Sequence, residues 1–436
     1  MDWQVSLAIM LGVLLALMGL GTPVALAFFA TNIVCIFLFM GGSVGVTQMV
    51  TNFGDAVSIY ALTPMPLFLI MGSLFFRSGL GENVFRAIDM CIGNLRARLA
   101  YLTVLSGAVF ASLSGSSLAN TGMMGSTMVP AMLARGYRPH MAYGPVLGAG
   151  SLAVIIPPSA LAVLLGSLAQ IDVGALLIAG VVPGFLLAAM FVALIFVQAA
   201  IDPDAAPQYA AERFSLRQKV AAVLVNVVPM SVIVFLVVGT IILGIASPTE
   251  SAALGCLGVA GLLVAYRRFS WEVVRKTLDD AMKVTAMTFL VIAASTTFAQ
   301  VLAFSGASGG FVQWLLAFGA SPMMLLALMV GSILLLGMFM DQLSMMLITL
   351  PIFVPIAQSL GFDLVWFGLI LLLAYEIGFT TPPFGLLLFV MIGVAPAGTT
   401  LGTVARAALP YILCTIALIV LIAAFPPIAL LLPGLK

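Results

Sequence analysis

The sequence predicts an all-α polytopic membrane protein assembled from two inverted-topology repeats, each holding a re-entrant hairpin and a discontinuous helix. Composition, an internal duplication and a lopsided distribution of basic residues carry that prediction. Hydrophobic residues fill 63% and charged residues 7% of the 436 positions, with a mean hydropathy of +1.26, the balance of a chain whose solvent is lipid. A bilayer core of about 30 Å takes roughly 20 helical residues, so the length allows on the order of a dozen crossings or re-entrant arms and leaves no room for a soluble domain. The net charge of +1 argues against a nucleic-acid partner.

The duplication is read from three landmarks. Val129-Pro130 recurs as Val354-Pro355, Gly136-Tyr137 as Gly361-Phe362, and Pro157-Pro158 as Pro382-Pro383, all at one constant offset. The stretch from Val129 to Pro158 therefore repeats without a gap.

In chain order, Val5 to Leu20 and Pro23 to Met40 read as two spans, and Gly41 to Ser58 as a more polar linker; residues 1–58 are an N-terminal scaffold. A first repeat, 59–201, holds a basic connection from Arg77 to Arg98, a hairpin over 99–134, an unwound helix near 150–160 and the span Leu176 to Ala199. Residues 202–283 are cytoplasmic linkers and scaffold or arm helices, with two spans fitting between Lys219 and Arg267. The second repeat, 284–404, has its hairpin over 323–359 and its unwound helix near 375–385; residues 405–436 close the chain as a C-terminal helix.

Two spans return the chain to the side it left, so the basic segments Arg213 to Lys219 and Arg267 to Lys283 share a side, which the positive-inside rule makes cytoplasmic. The first repeat's connections carry Arg86, Arg96, Arg98, Arg135 and Arg138, whereas the matching connections of the second carry no basic residue. Like segments thus lie on opposite sides, and repeats inverted in this way place their binding sites near the midplane, where discontinuous helices meet. If Arg96 and Arg135 are both cytoplasmic, Leu99 to Ala134 must enter and return, with each arm reaching about 22–25 Å.

The hairpin tips are where polar residues interrupt apolar sequence. Ser114, Gly115, Ser116 and Ser117 offer hydroxyl and carbonyl oxygens suited to a dehydrated hard cation, or are small residues that let helices pack closely. Asp341 stands in a long apolar stretch without Lys or Arg, so it is either the partner of a bound cation or a hydrogen-bonded structural acid. Glu376 is a site residue or an interfacial one. Asn120 and Thr121 either complete the first tip or bond across helices. The paired prolines remove backbone donors and free the carbonyls of the preceding turn, which a cation or a cavity can satisfy. Glu250 reads as a helix-start acid beside Pro248, His140 as interfacial, and Cys35, Cys91, Cys256 and Cys414 as packing residues. No GxxxxGK run occurs, which argues against ATP hydrolysis by this chain.

SGSSLANTGMMGSTMVPAMLARGY, GAGSLAVIIPPS, GIASPTESAA, MDQLSMMLITLPIFVPIAQSLGF and EIGFTTPPFGLLLF resemble, in order and over nearly the whole chain, the large (DctM-like, M) membrane subunit of tripartite ATP-independent periplasmic (TRAP) transporters. The resemblance implies a sodium-coupled importer of the ion transporter superfamily with an elevator mechanism. Its partners would be a separate small four-helix membrane subunit and a soluble periplasmic substrate-binding protein that delivers an organic acid. The setting it implies is the bacterial or archaeal cytoplasmic membrane. No cofactor is implied beyond Na+ as coupling ion.

Carried over by motif, a first sodium site comprises Ser114, Gly115, Ser116, Ser117, Pro157 and Pro158, and a second comprises Asp341, Gln342, Ser344, Thr380, Thr381 and Pro382. The substrate would lie between the tips, near Asn120, Ser159, Glu376 and Pro383. One departure is that Leu118-Ala119-Asn120-Thr121 is more polar than the small-residue run the family has there. The rival readings are a self-sufficient sodium/divalent-anion symporter, a polytopic membrane enzyme, for which acid and base groups are few, and a scaffold subunit.

Overall fold

The computed structural model describes residues 2–58, 60–93, 95–208, 214–317, 319, 321–338, 340–383 and 385–435, and no strand occurs among them. Helices α1 (Trp3–Gly19), α2 (Val24–Phe39) and α3 (Ser43–Val57) come first. The first repeat is built of α4 (Pro64–Arg77), α5 (Leu80–Cys91), α6 (Arg98–Ser114), α7 (Ser117–Leu133), α8 (Pro139–Ser151), α9 (Ala160–Leu168), α10 (Val173–Ala179) and α11 (Val181–Ile201). Then α12 (Leu216–Ala222) passes through a π turn into α13 (Val228–Ile242), and α14 (Pro248–Ala265) leads to the second repeat. That repeat contains α15 (Trp271–Phe304), α16 (Ala307–Ala317), α17 (Pro322–Gly337), α18 (Gln342–Ser359), α19 (Leu364–Thr380), α20 (Leu386–Val394) and α21 (Leu401–Ala424), with α22 (Pro427–Leu430) after it.

The offset that relates the sequence landmarks lays α4 on the second half of α15, α5 on α16, the α6–α7 hairpin on α17–α18, the broken helix α8–α9 on α19–α20, and α11 on α21. The duplication thus extends well beyond those landmarks. Each hairpin turns at its polar tip, between Ser114 and Ser117 in the first and between Gly337 and Gln342 in the second. The first interruption is a single 3-10 turn, Leu152–Val154, and then irregular backbone as far as Ser159. The second begins at Thr381. Both Pro-Pro bonds, Pro157-Pro158 and Pro382-Pro383, are cis.

Equivalent residues start the inner arms. Ser116 caps α7 by accepting from the Ala119 N–H, and Asp341, its counterpart in the second repeat, caps α18. The Ser247–Glu250 capping box starts α14, in the helix-start role expected of Glu250.

Two polar connections prove to be helical. Gly41 to Ser58, expected as a linker, contains α3, whose Asn52 donates to the Gln300 side chain of α15 at 2.5 Å. The basic connection contains α5, with Leu80, Val84 and Ala87 buried on one face. Their spacing is helical, but it is masked in sequence by the charges on the opposite face. Tyr209 to Arg213, part of the expected boundary segment, lies outside the described residues, as does Phe384.

The broken helices form the centre: every residue from Met141 to Ser151 and from Trp366 to Thr380 is buried. Outer helices turn large apolar side chains outward, with Phe196 67%, Phe235 74% and Leu257 70% exposed. This is the reverse of a soluble surface and suits lipid. Six helices among the described residues are long and apolar enough to cross a membrane, and the chain is a multi-pass membrane protein.

Arg77 pairs with Asp280, Arg138 with Asp202, and Arg98 with Asp89 at 2.8 Å, while Arg268 donates to the Ser78 carbonyl at 3.0 Å. Arg77 and Arg268 thus link the first repeat to α15 and to the connection after α14, whereas the Arg98 and Arg138 pairs stay within the first repeat and the segment that follows it.

Lipid gives helices no hydrophobic reason to associate, so close approach of small residues does the packing. A Cβ on Gly337 of α17 would collide with the Gly378 Cα of α19, whereas one on Gly331 of the same helix would meet nothing within 4 Å. Gly337→Ala is expected to cost about 1–3 kcal/mol through forced separation of the two helices, and Gly331→Ala to be neutral or mildly stabilising. Thermal unfolding in detergent checks this, and equal midpoints for the two variants would refute the close packing.

Candidate ion and substrate site

The first tip rests on the first interruption. Gly115 ends α6 in the left-handed region, at φ 58°, and a Cβ there would come within 3.0 Å of the Pro158 carbonyl oxygen and 3.3 Å of the Ala160 nitrogen. Glycine is needed on both counts. The Ala160 N–H donates to the Gly115 carbonyl at 3.4 Å, so the structure brings together Ser114 to Ser117 and Pro157-Pro158, the two parts of the first predicted sodium site. Ser159, 1% exposed, caps α9 by accepting from the Ala162 N–H at 3.2 Å.

Around this tip three buried oxygens have no hydrogen-bond partner: Ser114 Oγ, Asn120 Oδ1 and Thr121 Oγ1. A buried polar atom left in that state costs about 1–3 kcal/mol, which an ion or a water bound at the tip would recover. The Asn120 amide nitrogen donates to the carbonyls of Gly107 at 3.2 Å and Ala149 at 2.7 Å. Of the two roles open to it in sequence, the cross-helix tie between α6, α7 and α8 is therefore present.

At the second tip Asp341 accepts from the N–H groups of Leu343 at 3.0 Å and Ser344 at 3.4 Å, and from the Ser344 hydroxyl. Such a cap satisfies the first turn of α18 and places the acid at the positive end of the helix. Thr380 and Thr381 donate to the carbonyls of Glu376 at 3.0 Å and Ile377 at 2.6 Å, so their lone pairs remain available. Pro382 and Pro383 lie in the interruption that follows.

Glu376 joins the two tips. It is 1% exposed, and its Oε2 accepts from the Ser117 hydroxyl at 2.9 Å and from the Gln342 amide at 2.5 Å. Ser117 and Gln342 are the first residues of α7 and α18 and equivalent positions of the two repeats. Among the described residues, no Lys or Arg pairs with this carboxyl. A cleft opens between the tips, with walls that include Gly115, Ser116, Ser117 and Leu118 of the first and Gln342 and Leu343 of the second; none of Asn120, Ser159, Glu376 and Pro383, the residues expected near substrate, lines it.

Two residues the sequence reading did not single out also lie near Glu376. Ser151 is its counterpart in the first repeat, so the constant offset could have found it. Thr415 of α21 sits in an apolar helix and carries no such signal.

Buried polar hairpin tips meeting on one carboxyl at the centre of a bundle with an apolar exterior point to the membrane-embedded subunit of a transporter. The chain matches the family described as tripartite ATP-independent periplasmic transporter, DctM component, over residues 11–428, and it belongs to that family as a large permease subunit. It is 32% identical over 376 residues to the C4-dicarboxylate TRAP transporter large permease protein DctM of Pseudomonas aeruginosa, covering 86% of each chain. It is 27% identical to the sialic acid TRAP transporter large permease protein SiaM of Vibrio cholerae, covering 97% of each. Among solved structures, the YdaH transporter of Alcanivorax borkumensis, reported to have an unusual topology, shares the fold with a TM-score of 0.58 at 18% identity, over 88% of this chain and 89% of that one.

Because both tips donate to one carboxylate oxygen, their contributions are coupled. A double-mutant cycle of Ser117→Ala and Gln342→Ala, read by thermal stability, is expected to depart from additivity by about 0.5–3 kcal/mol. Strict additivity would mean that the tips do not share Glu376.

Proposed function

We propose that this permease subunit couples inward sodium movement to the uptake of an organic acid across the bacterial or archaeal cytoplasmic membrane. The observation that carries this reading is the meeting of the two equivalent tip residues, Ser117 and Gln342, on the buried carboxyl of Glu376, beside oxygens that lack partners on the first tip. Hydroxyl, carboxylate and carbonyl oxygens without bound donors are the ligand set of a dehydrated hard cation, and the residues at the first tip fit it. At the second tip the lone pairs of Thr380 and Thr381 would supply the same chemistry, and Asp341, which already accepts from Leu343 and Ser344, would add negative charge.

The substrate class follows from charge and from the relatives. The proteins named for C4-dicarboxylate and for sialic acid transport are named for organic acids. The cleft between the tips has no basic residue on its described walls, so cations at the tips would offset the charge of a bound carboxylate. A small membrane subunit and a soluble periplasmic binding protein complete the tripartite assembly, and an elevator movement of the hairpins and broken helices against the outer helices carries the load. Full or empty states would be favoured, since a half-loaded site would take uncompensated charge through lipid.

Uptake of a labelled C4-dicarboxylate or sialic acid into proteoliposomes holding this chain, its small subunit and its binding protein tests the reading, with and without an inward sodium gradient. Uptake is expected to need sodium, and Asp341→Asn to lose at least about 1.4 kcal/mol of sodium affinity, a tenfold rise in half-saturation. Uptake that is unchanged without sodium and in the variant would refute the coupling.

A further inference from the structure

We propose a further cation site on the side of Glu376 turned away from the tips, formed by Glu376, Ser151, Thr380 and Thr415, which takes one dehydrated monovalent cation, sodium, in addition to the ions at the tips. This deepens the sodium-coupled reading and rests on it.

The second carboxylate oxygen of Glu376 carries the argument. While Oε2 is held by both tips, Oε1 is fully buried and has no hydrogen-bond partner. Glu376 lines a small cavity between α8, α19 and α21, with room for about one water-sized occupant. The cavity also meets Ser151, Thr380 and Thr415, which are 8%, 5% and 3% exposed.

Each hydroxyl has already spent its proton on its own helix. Ser151 donates to the Gly148 carbonyl at 2.8 Å, Thr380 to the Glu376 carbonyl at 3.0 Å, and Thr415 to the Tyr411 carbonyl at 3.1 Å. What these three side chains and Oε1 offer the cavity is therefore lone pairs alone. A water could accept from the Tyr411 hydroxyl, which also lines the cavity and is buried without a partner, and donate to two of these oxygens, but it would bring no charge. A cation can be ligated by all four, and it supplies the positive charge that a buried carboxylate otherwise lacks. One carboxylate balances one charge, which favours a monovalent ion over a divalent one.

Thr380 also belongs to the second predicted tip site, so the two ions would share that residue. Ser151 and Thr415 belong to neither tip. Because the same carboxyl binds the tips through Oε2 and this ion through Oε1, occupancy here would bias both hairpins at once, a linkage between ion and tip geometry.

Equilibrium binding of radioactive sodium to the purified full-length chain, with choline as the replacement salt, tests the site. Thr415→Val keeps the shape and removes the oxygen, while Thr415→Ser keeps the oxygen. We expect Thr415→Val to bind one sodium fewer than wild type, or to raise the half-saturating concentration roughly tenfold as an oxygen ligand is lost. Thr415→Ser should retain wild-type binding, and Asp341→Asn should still show the Thr415-dependent ion. Identical sodium counts and affinities for wild type and Thr415→Val would overturn the site and leave the tip sites standing. If wild type itself binds no sodium, the coupled reading fails and this site with it.

Discussion

A carboxyl group buried at the centre of a membrane protein has to be compensated, and in this chain the compensation is shared by both halves of a duplication. Glu376 accepts from Ser117 and Gln342, which the repeat relation makes equivalent. A residue lying between two such positions has its own equivalent, and for Glu376 that is Ser151. An acid at both positions would place two like charges together in a low-dielectric interior. The chain has one acid and one hydroxyl, and the pseudo-symmetry is broken at the point where the two halves touch.

That junction depends on the helix breaks around it. Had α8 and α19 continued through the centre, their backbones would be sealed and the tips would have no irregular segment to rest on. Pro382 follows closely on the end of α19, whereas α8 unwinds through the Leu152–Val154 turn before Pro157 bars its resumption, and Gly115 lets the first tip lie against the Pro158 carbonyl. The inner arms then start with side-chain caps at equivalent positions, Ser116 and Asp341. Each cap satisfies donors that would be costly to leave bare in an apolar interior, and Ser117 and Gln342, the first residues after the caps, reach a common acceptor.

Much of this was legible in the sequence, for physical reasons that differ from residue to residue. The hairpin limits and the interruptions were readable because paired prolines, glycines and polar tips inside apolar sequence leave few other arrangements in a bilayer. The relation between the repeats was readable because the arginines in the hairpin connections of the first copy have no counterparts in the matching connections of the second. The helices α3 and α5 were hidden because polar faces at a membrane edge look like linkers, although Leu80, Val84 and Ala87 keep a helical period. The cap made by Asp341 and the burial of Glu376 were left open, since sequence shows that an acid lies in an apolar run but not which donors reach it. Thr415 was invisible because it comes from a helix with no polar pattern, brought beside Glu376 only by tertiary packing.

The absence of basic residues from the described walls of the cleft has a consequence for the order of events in the proposed cycle. Were Glu376 ionised, an anion entering beside it would meet a second negative charge, and at an effective dielectric constant near 20 two such charges about 4 Å apart repel by roughly 4 kcal/mol. No arginine stands on the described walls to offset this, so in the proposed cycle the compensation falls to bound cations or to a proton on the carboxyl. Cation or proton loading then precedes or accompanies the anion. The fixed donors Ser117 and Gln342 cannot substitute for it, because they satisfy the carboxyl's hydrogen bonds without cancelling its charge. In the proposed cycle, selectivity for sodium and affinity for the acid would then depend on the same few oxygens, so that a change at the tips would alter both together.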